Sequence, residues 1–309
     1  MSIRNLYLLG SVQLGETLLS GITTYDVDPG VATAVVRGDA RVDPGFAAVL
    51  HQSPVLSFGT TAIAQMLGVT GLGGLGILDD GFARFYLQRL QQGGTRATTG
   101  RAMVVQAGIV VPRALTASQG GVASMAAEVF AISLDGAVAP ILVEDEVTVP
   151  APGALARQFT VGPVVFGETA RVNGVTRTTI DPGLAVVVRG DEGQAYDSFA
   201  AIRSRGISLT VRATDLDQIP ASDGTNNAFV GTGPLTVYLR GLRRNGLPYA
   251  DDEAQHVGLT LHDCLVYVRS VGGDEDEEQE LEMTVEVTAP EDPDDPVFTL
   301  ESSAEIPGE

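Results

Sequence analysis

The chain of 309 residues contains no lysine and no tryptophan, one cysteine and three histidines; all 19 basic side chains are arginine. Each scarcity excludes something. A single thiol, Cys264, cannot form an intrachain disulfide framework and suits folding in a reducing compartment. Three histidines leave few general bases, and His51 is the only one in the first 152 residues. Without tryptophan, and with aromatics at 6%, the chain is poor in the rings on which carbohydrates stack. There is no uninterrupted apolar stretch of about 18 residues, so no membrane span is expected. The segment Met1-Ser2-Ile3-Arg4-Asn5-Leu6 has one charge and no long apolar run, so no secretory signal is expected there. Positive charge is also short. The net charge is −20, with 12 acids against 8 arginines in residues 1–152 and 27 against 11 in residues 153–309. Such a chain does not hold nucleic acid by neutralising phosphates, although like charge suits a wall past which nucleic acid slides.

What the sequence does contain, it contains twice. Leu14-Gly15-Glu16-Thr17, Asp28-Pro29-Gly30 and Arg37-Gly38-Asp39 return as Phe166-Gly167-Glu168-Thr169, Asp181-Pro182-Gly183 and Arg189-Gly190-Asp191. Gly21 and Gly174 stand nine residues before the two Asp-Pro-Gly glycines. Phe46-Ala47-Ala48 matches Phe199-Ala200-Ala201, Phe85-Tyr86-Leu87 matches Val237-Tyr238-Leu239, and Ala139-Pro140-Ile141-Leu142 matches Asp295-Pro296-Val297-Phe298. The period is about 155 residues, too long for a solenoid, whose repeats run roughly 20–50. Two tandem homologous domains are expected, 1–150 and 153–309, divided at the proline-rich Val149-Pro150-Ala151-Pro152-Gly153.

Within each copy the periodicity is that of strands. Ile207, Leu209 and Val211 alternate with Ser208, Thr210 and Arg212. Val257, Leu259 and Leu261 alternate with Gly258, Thr260 and His262, and Leu281, Met283, Val285 and Val287 with Glu282, Thr284, Glu286 and Thr288. Period two with one polar face is a half-buried strand. The corresponding stretches of the first copy, Met103-Val104-Val105 and Ile109-Val110-Val111, are apolar on both faces. Either those strands are more fully covered or their outer face meets a neighbour. Asp-Pro-Gly suits tight turns, and each Arg-Gly-Asp reads as a strand-ending turn. One short helix is expected per copy: Ala62 to Leu67, capped by Thr60-Thr61 and ended by Gly68, and Asp215 to Ile219, preceded by Thr214 and ended by Pro220. The fold class is therefore mainly β: two β-sandwich or barrel domains with long interstrand loops. Two such loops are the glycine-rich Gly68 to Gly81 and the acidic Asp274-Glu275-Asp276-Glu277-Glu278.

No motif makes a case for catalysis or a cofactor. Gly71-Leu72-Gly73-Gly74-Leu75-Gly76 fits G-x-G-x-x-G, but a dinucleotide fingerprint follows a strand and opens a helix, and here a helix precedes it. His256, His262 and Cys264 share a face if the strand is regular. Their spacing of about 6.6 Å per two residues is too wide for one ion. The run 274–278 lacks the alternation of a calcium loop. There is no G-x-S-x-G elbow. A hydrolase built on paired carboxylates would draw on Asp79, Asp80, Asp251 and Asp252. No cofactor and no metal are expected.

A doubled β domain without such a site points to assembly, because three chains then supply six similar units to a ring closed by heterologous contacts. With the doubled blocks, the all-β alternation, one short helix per copy, long loops and strong acidity, the chain resembles a tail tube protein of a long-tailed bacteriophage with a duplicated tube domain. That resemblance implies homotrimeric, pseudo-hexameric rings stacking into a tube with an electronegative lumen. It implies DNA only as passing cargo, other tail proteins as partners, and a virion location after assembly in the host cytoplasm. It also suggests that Gly68, Gly71, Leu72, Gly73, Gly74, Leu75 and Gly76 form a self-assembly loop between stacked rings, so that deleting Leu72 to Leu75 leaves rings but no tubes. The alternatives are another ring-forming tail, baseplate or capsid-associated protein, and a tandem β-sandwich module binding a host-surface ligand.

Overall fold

The computed structural model describes residues 6–36, 46–78, 83–90, 95–151, 156–167, 170–214, 230–272, 280–289, 292 and 295–308. In the first half the strands are β1 (Leu6–Leu14), β2 (Thr17–Leu19), β3 (Ile22–Asp28), β4 (Val31–Val36), β5 (Phe46–Gln52) and β6 (Val55–Thr60). Helix α1 (Ile63–Thr70) follows, then β7 (Leu75–Leu78), β8 (Ala83–Leu90), β9 (Arg96–Val105), β10 (Ala107–Ser118), β11 (Ser124–Ile132) and β12 (Ile141–Thr148). The second half has β13 (Gln158–Phe166), β14 (Ala170–Val172), β15 (Val175–Asp181), β16 (Ala185–Arg189) and β17 (Phe199–Ser204). It ends with β18 (Ser208–Ala213), β19 (Val230–Leu242), β20 (His256–Gly272), β21 (Glu280–Val287) and β22 (Phe298–Ala304). The chain is mainly β, as its period-two pattern demands.

The pairing order of the first half returns in the second. β12-β9-β8-β1-β2 corresponds to β22-β20-β19-β13-β14, and β10-β11-β6-β3 to β20-β21-β18-β15. In the second half the 17-residue β20 runs through both sets. In the first, Gln106 interrupts the strand and donates its backbone N–H to the Pro140 carbonyl at 2.9 Å, which leaves β9 and β10 in separate sheets. Irregularities repeat too: the register shift at Ile22/Thr24 matches Val175/Arg177, and that at Ala32/Thr33 matches Ala185/Val186. So do the turns. Gly30 and Gly183, at φ 54° and 56°, each donate N–H to the carboxylate two residues back, Asp28 and Asp181, at 2.9 Å. A Cβ on either glycine would strike a backbone carbonyl, of Ser53 or of Gly206, so both the left-handed backbone and the space require glycine.

The halves are not separate bodies. β10 pairs antiparallel with β15, placing Leu115 opposite Ile180, Thr116 opposite Thr179, Ala117 opposite Thr178 and Ser118 opposite Arg177. This makes eight consecutive strands, β20-β21-β18-β15-β10-β11-β6-β3, half from each copy. One continuous core runs beneath them, from Leu14, Leu56, Phe85 and Met125 to Ile180, Leu209, Val237 and Val285. Val12, Leu14 and Phe85 face it from one sheet of the first half, Leu56, Phe58 and Val129 from the other, and α1 adds Ile63, Met66 and Leu67.

Two expectations for local structure change. Helix α1 extends past Gly68 and stops at Gly71, whose N–H is accepted by the Leu67 carbonyl at 2.8 Å. Its N-cap is Ala62, with no side-chain cap of its own; the Thr60 hydroxyl instead accepts the Ala62 N–H at 3.0 Å. The segment Gly68 to Gly81 is consequently not one free loop, since Gly68 is helical and Leu75 and Gly76 lie on β7, which pairs with β10. The counterpart helix expected at 215–219 lies outside the described residues, as do the first Arg-Gly-Asp and the acidic run 274–278.

Candidate functional site

Among the described residues, three sets of contacts meet at the seam between the halves. Its first component is the β10–β15 pairing. Its second is the ribbon β16–β17, whose hydrogen-bonded strands rise from the end of β15. Ala107, Ile109 and Val111 alternate with the core-facing residues of β10 and so point to its outer side. With Ile132 and Phe130 of β11 they form a second apolar cluster, closed by Leu184, Ala200, Val186, Val188 and Ile202 of the ribbon. This explains the two-sided apolar character of the first copy: its outer face does meet a neighbour, the other half of the same chain. Arg113 ties ribbon to sheet. It donates from Nη1 to the Leu184 carbonyl at 2.8 Å and from Nε and Nη2 to Glu128, at 2.8 and 2.6 Å. Its guanidinium also lies 5.8 Å from the Phe130 ring centroid.

The third component is polar. The loop after β16 bends back over the first half. Gln52 N–H donates to the Ala195 carbonyl at 2.8 Å, and Ala195 and Tyr196 both donate to the Gly136 carbonyl at 3.1 Å. The buried Asp197 takes the Ser53 hydroxyl on one oxygen and His51 Nε2, at 3.0 Å, on the other. Its own backbone carbonyl accepts from Ser133 N–H at 2.7 Å. Asp135, which leads the receiving turn, accepts from Val138 and Ala137 N–H and from Ser133 Oγ; these bonds hold its carboxyl below the usual aspartate range. Histidine, serine and aspartate meet here, yet not as a nucleophilic triad. The carboxylate sits between the other two, so the serine hydroxyl is bonded to an acceptor that cannot pass its proton to the imidazole. The cluster is a latch.

The glycine-rich segment reaches the same seam from inside. Leu72 is fully buried in the main core. A Cβ on Gly71 would lie 3.1 Å from the Phe298 ring, and one on Gly73 3.2 Å from Arg205 Cζ. At Gly74, φ 80°, it would lie 2.8 Å from Ile202 Cδ1 and 3.1 Å from the Val110 carbonyl. These residues pack the first half against the second.

The other sequence candidates scatter. His256 is fully buried, accepting Gly241 N–H on Nδ1 at 3.1 Å and bonding the Ala250 carbonyl through Nε2 at 2.8 Å. A bulge between Leu261 and Cys264 turns Cys264 into the core, so it does not share a face with the histidines. Among the described residues no group of three His, Cys, Asp or Glu is placed to hold a metal ion. Asp251 is held by two arginines, Arg171 at 3.0 Å and Arg240 at 2.9 Å, while Asp79 and Asp80 lie outside the described residues. No helix among the described residues is long and apolar enough to cross a membrane. Sequence reading passed over Asp197; the available signal was an asymmetry, since Ser204 and Gly206 stand where the first copy has His51 and Ser53. Compared with family descriptions and with curated proteins, the chain matches none.

Proposed function

We propose that the chain is a structural, ring-forming protein of the tail-tube kind, three chains supplying six similar units to a ring that stacks into a conduit for DNA. One observation carries this reading: eight consecutive strands are joined in their middle by an edge-to-edge contact, and among the described residues its two halves recur without that partner, at the C-terminal end of β20 beyond its pairing with β19 and β22, and along β3. The register shift at Pro112/Leu115 matches that at Val268/Ser270, so Val271 of β20 stands where Leu115 stands in β10. Leu115 is 2% exposed and Val271 49% exposed. At the other end β3 closes the strand order, with Val27 standing where Ile180 stands in β15. The C-terminal edge of β20 around Val271 and the edge of β3 are complementary in the way that β10 and β15 already are. Repetition of that heterologous contact closes a ring or propagates a filament, according to the rotation at each step. Unpaired edges left on a monomer invite such pairing.

Two further features support the reading. Phe46 and Phe199, at equivalent places on the two ribbons, are 53% and 51% exposed, which offers a repeated aromatic to a stacked ring or another tail protein. The charge of −20 suits a passage that nucleic acid traverses without adhering. The test is solution mass with negative-stain electron microscopy over a range of concentration and salt. Six-lobed rings built from three chains, or tubes of them, are expected. A species that stays near 32.2 kDa at every concentration, with no rings on the grid, would overturn the proposal.

A further inference from the structure

We infer that the ribbon β4–β5 clasps a second copy of this chain, lying across the outer face of its β20–β21 as β16–β17 lies across β10–β11 within one chain. The inference rests on the ring reading above and deepens it by naming the surfaces that meet.

β4–β5 and β16–β17 share pairing and bulge: Thr33 opposite Val49 matches Val186 opposite Ile202, and Val35 opposite Ala47 matches Val188 opposite Ala200. The ribbon positions that close the second apolar cluster, Leu184, Val186, Val188, Ala200 and Ile202, therefore correspond to Val31, Thr33, Val35, Ala47 and Val49. Their environments are opposite. Leu184 and Ala200 are each 3% exposed, whereas Val31 is 44%, Val35 56% and Val49 55% exposed. A row of side chains that covers a sheet in one half stands exposed in the other among the described residues.

Topology says which face lies within reach. Each ribbon springs from the strand that makes the edge contact, β16 after β15 and β4 after β3. If β3 of one chain pairs with β20 of another, its ribbon arrives over the outer side of β20–β21, as β16–β17 arrives over β10–β11. That face presents Leu265 and Tyr267, both half-buried, where β10 presents Ile109 and Val111. Glu286 replaces Phe130, and the Tyr267 hydroxyl bonds it at 3.1 Å. Arg269 stands where Arg113 stands, its side chain 67% exposed and paired only with Glu282 among the described residues. By the internal example, its guanidinium would donate to the Val31 carbonyl of the arriving chain.

The chemistry differs between the two settings in a way that fits an interface made and remade between molecules. A face that waits in water carries Glu286 and Tyr267 where the permanent contact has Phe130 and Val111. The side chains of the latch are not repeated in the sequence: Ser204, Gly206 and Pro44 align with His51, Ser53 and Asp197. Rings would then contain two kinds of seam, one locked within each chain and one clasped between chains, and would open at the second.

The test compares wild type with the double variant Val35→Asp/Val49→Asp and with Arg269→Ala, by sedimentation and electron microscopy across concentration, alongside circular dichroism. All three positions are exposed in the single chain, so unchanged spectra and melting are expected. The double variant should need about 100-fold higher concentration to form rings, from the loss of two apolar burials and the introduction of charge. Arg269→Ala should shift assembly in the same direction by a smaller factor. If wild type forms rings and the double variant forms them at the same concentration, the clasp is overturned and the ring reading survives. If wild type forms no rings, both fall.

Discussion

Asp197 and Cys264 show how differently two buried polar side chains can be used. Asp197 receives a hydroxyl, an imidazole and a main-chain donor from the other half of the chain, so its burial is compensated at each atom. Cys264 is buried among apolar side chains. Desolvation, helped by the charge of Asp263, pushes its thiol from an ordinary 9.0 up to about 11. A thiol so placed is protonated at neutral pH, and the thiolate is the reactive form. The native chain is expected to resist alkylation at pH 8 and to take up one equivalent of reagent once unfolded, read by mass spectrometry; ready modification of the native chain would contradict this burial. A raised folded value means that the folded state binds the proton more tightly, so this contribution is complete below the ordinary value and declines as pH rises from 9 towards 11. The sequence showed the lone cysteine but not its surroundings, because a single bulge decides which face it occupies.

Among the elements, the glycine-rich segment departs most from its appearance in the sequence. Four glycines and two leucines after a short helix, Gly71 to Gly76, read as a loop, and that pattern says nothing about what lies opposite. Here the opposing surface belongs to the second half, at Ile202, Arg205 and Phe298, so the glycines mark close approach and not freedom. Leu72→Ala is expected to cost about 2–5 kcal/mol by opening a cavity in the main core, measured by denaturant unfolding. Loss of less than 1 kcal/mol would return the segment to the surface. Deleting Leu72 to Leu75 should then unfold the chain, because the deletion removes a core residue and the start of β7 together. By contrast, the Asp-Pro-Gly turns were legible, and so were the strands read over 207–212, 257–262 and 281–288, which fall on β18, the first part of β20 and β21. Their conformation is set by local chemistry and by period-two burial, which a sequence carries directly.

At the scale of the molecule the duplication was legible and the union of its products was not. Repeated blocks imply two units, and a proline-rich stretch at 149–153 implies a boundary. Neither reveals that β10 pairs with β15 or that one core runs beneath eight strands. The only trace in the sequence was that Ile109 and Val111 have apolar character on a face that Leu265 and Tyr267 partly surrender to water. Union changes what unfolding should look like. Two self-contained units of about 150 residues would melt separately, or together with a van't Hoff enthalpy near half the calorimetric one. Here, separating the halves would strip the seam-facing side of the shared core and expose the second apolar cluster, so neither half has its full set of contacts alone. A single calorimetric transition with the two enthalpies in agreement is therefore expected from dilute, unassembled chain. Two resolved transitions would mean that the seam contributes little, and would also weaken the case that its unpaired equivalents are strong enough to hold one chain to the next.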